Sequence, residues 1–104
     1  MLGGIKEKDW IVIREALARY PQIEEMVLFG SRAKGNYGPG SDIDMALKGD
    51  QLTAILTRLS SYLNEESPLP YHFDLLDYAT VDQPLREHID RVGIIAYSQA
   101  DHRD

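Results

Sequence analysis

The chain has 104 residues, of which 43% are hydrophobic and 27% charged, with a formal net charge of -6 and no cysteine. That size suits a single soluble domain, residues 1–104, and the lack of cysteine excludes disulfide scaffolds, thiolate zinc sites and thiol nucleophiles. Eleven Lys and Arg against 17 carboxylates, with no basic block, argue against a direct grip on DNA or RNA, and no run approaches the ~20 apolar residues a membrane helix needs.

The N-terminal stretch MLGGIKEKDW lacks the apolar segment of a signal peptide, and a reducing cytoplasm fits the composition. Trp10, Ile13, Leu17 and Tyr20 recur at helical spacing and predict a packing helix over Lys6–Tyr20, stopped by Pro21. A short apolar run predicts a buried strand over Glu25–Phe29. Ser31–Lys34 reads as one helical turn that Gly35 can close in the left-handed conformation, and Asn36–Ser41 as a loop.

The next strand is expected over Ile43–Leu47. Alternation sends Ile43, Met45 and Leu47 to the core and Asp42, Asp44 and Ala46 the other way. Asp50 is the expected cap of a helix whose stripe of Leu52, Ile55, Leu56, Leu59 and Leu63 runs to about Asn64. Ser67–Pro70 is a linker, and Tyr71–Leu76 a third strand with His72, Asp74 and Leu76 on one face. Asp82 or Gln83 ahead of Pro84 in the first turn, then Leu85, Ile89 and Val92, predict a last helix ending at Gly93. Ile94–Tyr97 is a final strand and 98–104 a polar tail. The order predicts an α/β fold, a small mixed sheet with helices packed on one face.

The chemistry concentrates between Gly30 and Asp74. Asp42 and Asp44 project from one face of a strand with their α-carbons roughly 6.5 Å apart. Carboxylates that close repel unless a divalent cation compensates. Asp74 joins them if the second and third strands are neighbours, which would make a three-carboxylate site for two metal ions. Gly30-Ser31 offers backbone N–H groups and a hydroxyl to an anion, with Arg32 and Lys34 adding positive charge. His72 could reach the same side, and Tyr37 could stack on a base. We read His72 as a solvated or hydrogen-bonded strand histidine, Tyr37 as a surface loop residue, His88 as half-buried packing, Asp77 as a strand-end or capping residue and Trp10 as packing in the core or at a partner interface. The scattered histidines, His102 among them, have no zinc-site spacing.

The pattern Phe29-Gly30-Ser31, ten residues, then Asp42-Ile43-Asp44 resembles the signature of the DNA polymerase β nucleotidyltransferase superfamily. The turn Gly30-Ser31-Arg32-Ala33-Lys34-Gly35 is similar to that of its minimal nucleotidyltransferase (MNT) members, where the fifth residue is usually Arg. Phe73-Asp74-Leu75 matches the context of the family's third metal carboxylate. The resemblance implies transfer of a nucleoside monophosphate, AMP from ATP in the first instance, with two Mg²⁺ ions held by Asp42, Asp44 and Asp74. It implies that Asp74 serves the acceptor hydroxyl, that Gly30 and Ser31 hold the terminal phosphates, and that Arg32 and Lys34 screen their charge. It further implies an antitoxin role beside a helical HEPN toxin that carries the acceptor hydroxyl. The alternative is an antitoxin that binds nucleotide and neutralises its partner by complex formation alone. Self-association is left open.

Overall fold

The computed structural model describes residues 1–102, a four-stranded mixed sheet with helices on both faces. A 3₁₀ turn at Leu2–Gly4 leads into α1 (Glu7–Ala18), which is shorter at both ends than the sequence pattern suggested. Then follow β1 (Ile23–Phe29), α2 (Gly30–Lys34), β2 (Ile43–Gly49) and α3 (Thr53–Ser61). A turn of π-helix at Tyr62–Glu66 extends α3 past the expected end, and β3 (Phe73–Asp77) follows. The chain closes with α4 (Gln83–Val92), β4 (Ile94–Ser98) and α5 (Gln99–His102).

The sheet order is β3-β2-β1-β4. The link from β1 to β2 has no room for a crossover, so those strands are antiparallel, while β3 lies parallel to β2 and β4 antiparallel to β1. It is therefore mixed, as expected.

The expectation that helices pack on one face fails for α4. Ile13, Leu17, Met26, Leu28, Met45, Leu47, Ile55, Leu59 and Phe73 make a core between the sheet and α1 with α3. Val27, Phe29, Ala46 and Ile89 make a second core on the opposite face, under α4, and Ala46 is fully buried there. The reason is handedness. The β2–α3–β3 connection steps outward along the sheet and the β3–α4–β4 connection steps back across it. Both link parallel strands and both are right-handed by rule, so their helices fall on opposite faces.

Other departures are local. Leu52, not Asp50, precedes α3, and no side chain caps it. Asp82, rather than Gln83, is the residue that caps α4, its carboxylate accepting from the Leu85 N–H at 3.0 Å. Asp77 caps the 3₁₀ turn Tyr78–Thr80 through the Ala79 N–H. Trp10 is fully buried and donates from Nε1 to the Leu2 carbonyl. The expected polar tail is structured in part, because Ser98 ends β4 and Gln99–His102 is helical; Arg103 and Asp104 lie outside the described residues. At the β4 edge, Val27 faces Ile95 and Met26 faces Tyr97, so Ala96 is the extra residue of a bulge. Its carbonyl accepts from Arg14 Nε at 3.0 Å, which blunts a strand edge that would otherwise invite pairing.

Candidate active site

The candidate residues gather at one end of the sheet, on the face that α4 shares. Phe29 ends β1 and pairs with Asp44 of β2, and Asp44 pairs with Asp74 of β3. Directly paired residues point to the same face, so Asp44 and Asp74 stand side by side. Asp42 precedes β2 and is exposed, as is Asp74; Asp44 between them is half-buried.

Gly30 opens α2 with φ of 73°, and a Cβ there would overlap the Asp44 carboxylate. Glycine thus satisfies a backbone angle that L-residues avoid and leaves room for the acid. Ser31 lies in the first turn of α2, half-buried, and Gly35 closes that helix in the left-handed conformation with φ of 87°, as the sequence indicated.

Burial, then Asp74, then Asp42 push the Asp44 carboxyl above the ordinary carboxylate range, and His72 pulls weakly the other way. Asp42 Oδ1 is 3.3 Å from His72 Nδ1, and both side chains are largely exposed. Among the described residues, no three acidic or imidazole side chains are already arranged as a metal cage. The donor set still suits a hard divalent cation. It offers carboxylate oxygens on adjacent strands, and their mutual repulsion at Asp44 is what positive charge would relieve.

Lys34 is exposed, but Arg32 is not placed to screen phosphates. Its side chain is buried, with Nε donating to the Ser41 carbonyl at 3.0 Å and Nη1 to the Gly3 carbonyl at 2.9 Å. Of the two cations expected beside the phosphates, Lys34 alone keeps an exposed side chain. Tyr37 turns its ring towards Arg32 rather than standing free as a base platform. His88 packs edge-on against Phe29, with ring centroids 6.4 Å apart.

Asn64, which the sequence marked only as a helix end, supports the third carboxylate. Its side-chain amide accepts from the Phe73 N–H at 2.7 Å and donates to the Phe73 carbonyl at 3.0 Å. It pairs with the edge strand β3 as a neighbouring strand would, one residue before Asp74. Asparagine beyond a helical stripe is too common for its sequence position to have revealed this. Asn64→Ala is expected to lower stability by about 1–2 kcal/mol, read by urea denaturation.

Comparison with known proteins bears on the family and the fold. The family described as polymerase beta, nucleotidyltransferase matches residues 12–102. A probable protein adenylyltransferase MntA of Haemophilus influenzae is 33% identical over 94 residues, spanning 88% of this chain and 81% of that protein. Among solved structures, a toxin–antitoxin complex with AMP-PNP superposes with a TM-score of 0.72 at 24% identity, over 92% of this chain and 77% of the other. A tri-AMPylated Shewanella oneidensis HEPN toxin bound to its MNT antitoxin gives 0.60 at 18%, over 88% and 75%. These two likenesses support the fold.

Proposed function

The chain belongs to the polymerase β nucleotidyltransferase family, and on that premise we propose that it is a single minimal domain that transfers AMP from ATP to a hydroxyl of a HEPN toxin, as that toxin's antitoxin. The observation that carries this is the pairing of Asp44 with Asp74 on adjacent strands, at the end of β1 where Gly30 meets Asp44. The H. influenzae relative named as a probable protein adenylyltransferase supports the choice of acceptor class.

In this reading Asp42, Asp44 and Asp74 hold Mg²⁺, two ions in all. When bound, such ions lower the pKa of an acceptor hydroxyl and offset charge on the phosphates. Ser31 hydrogen-bonds the terminal phosphates through its hydroxyl and N–H, and Lys34 adds charge from the last turn of α2. The acceptor oxygen forms a bond to the α-phosphorus as the bond from that phosphorus to the β-bridging oxygen breaks. Pyrophosphate departs, and Asp74 takes the hydroxyl proton. No helix among the described residues is long and apolar enough to cross a membrane, and we place the reaction in the cytoplasm.

The test is transfer of label from α-labelled ATP to the cognate HEPN protein with Mg²⁺. Labelling is expected with the native chain and not with Asp42→Asn plus Asp44→Asn; equal labelling by the two refutes the assignment. A second reading, neutralisation by complex formation alone, draws on the engagement of Asp42 with His72. It predicts that the double variant still neutralises the toxin fully at native abundance.

A further inference from the structure

We propose that Arg32 is a positioning residue that fixes Asp42 through Ser41, and that the turn at Leu2–Gly4 belongs to the same device. The proposal rests on the reading of Asp42 as a metal ligand. An arginine is charged at any ordinary pH, so burying one requires partners on every side. Here the side chain is 4% exposed. Its two hydrogen bonds diverge, one to Ser41 at the end of the glycine-rich loop and one to Gly3, 29 residues away in sequence.

Two aromatic rings also lie close to the guanidinium. Its carbon lies 5.4 Å from the centre of the Tyr37 ring and 5.3 Å from that of Tyr71. These are favourable positions for a cation over an aromatic ring. Tyr71 is fixed in turn by its hydroxyl, which donates to Asp9 of α1 at 2.7 Å. Tyr37 lies so close over Gly4 that a Cβ there would overlap the ring. Gly3 and Gly4 both have positive φ, 62° and 74°, which bends the turn back towards α2.

Each of these contacts bears on Asp42. The Ser41 carbonyl belongs to the peptide plane that leads into Asp42, and the Ser41 hydroxyl accepts from the Gly38 N–H at 2.9 Å, which folds the loop. On the other side, Asp42 meets His72, the neighbour of Tyr71. Arg32 therefore fixes both flanks of an exposed carboxylate that no regular strand pairing holds. The planar fork makes two bonds in different directions, which lysine cannot reproduce.

The test compares Arg32→Lys, a chain lacking residues 1–4, and the two combined. Hydrogen exchange is read at amides 36–42, and Mn²⁺ binding by electron paramagnetic resonance. Each single change is expected to speed exchange in 36–42 and weaken Mn²⁺ binding about tenfold. Their combination should add little, because both cut the same connection. Gly4→Ala, which displaces the Tyr37 ring, should act in the same direction and carries the test if Arg32→Lys does not fold. The proposal is overturned if loss of residues 1–4 leaves exchange and Mn²⁺ binding unchanged while Arg32→Lys weakens ATP binding measured in EDTA. That result would make Arg32 a phosphate ligand. A native chain that binds no Mn²⁺ would instead refute the metal reading, and the exchange rates alone would then decide on the connection.

Discussion

Asp44→Asn is expected to abolish nucleotidyl transfer and at the same time raise the melting temperature of the metal-free protein. The loss should be roughly a thousandfold or more, since it removes the central carboxylate of the site and several kcal/mol of transition-state stabilisation with it. The stability gain follows from the electrostatics. Burial, Asp74 and Asp42 together raise the proton affinity of Asp44 in the folded state. The folded chain therefore holds that proton more tightly than the unfolded chain. The resulting penalty is absent below the ordinary carboxylate pKa of about 3.9 and grows as pH rises through that range to the higher folded value. A melting-temperature gain of roughly a few degrees should appear at pH 7 and vanish near about pH 3. Saturating Mg²⁺ should reverse the order by stabilising the native chain alone. Equal melting temperatures at neutral pH without metal would contradict the crowding of charge at Asp44.

Gly30→Ala is expected to be the most damaging methyl group that can be added to the chain near the site. Alanine at φ of 73° costs about 1–2 kcal/mol on backbone grounds, and its Cβ would overlap the Asp44 carboxylate. Gly35→Ala is the control: its φ is 87°, but a Cβ there meets nothing within 4 Å. Gly35→Ala should show the backbone cost alone, about 1–2 kcal/mol in urea denaturation. Gly30→Ala should exceed it by a further ~2 kcal/mol and displace Asp44 from its place opposite Asp74. In an Asp44→Ala background the two glycine substitutions should cost about the same. If the difference persists there, the overlap with Asp44 is not its cause.

What the sequence disclosed was what depends on near neighbours. Alternation placed Ile43, Met45 and Leu47 on one face and Asp44 on the other, and the same alternation put Asp74 beside it once β2 and β3 paired. Gly35 announced its role because capping is chemistry within a few residues. Two things stayed hidden because they depend on distant partners. The face chosen by α4 follows from strand order, so Ala46 read as outward although it is fully buried. The destination of Arg32 depends on Gly3, Ser41 and Tyr71, which no spacing rule connects. Beside Gly-Ser the guanidinium read as a phosphate ligand, because charge next to an anion site suggests itself before packing does. Asn64 was missed for the same reason, since Phe73 reaches it only in the folded sheet.

The strand that carries Asp74 is at the border of the sheet, with β2 on one side only. Under the proposed function, a reaction centre at this margin can be approached from beside the protein, so an acceptor hydroxyl can arrive while still attached to a folded surface. Selectivity then has to come from how that surface docks, which raises the local concentration of one hydroxyl over all others. A short peptide bearing the same hydroxyl should consequently be a poor acceptor even at millimolar concentration, while the intact protein is modified at far lower concentration.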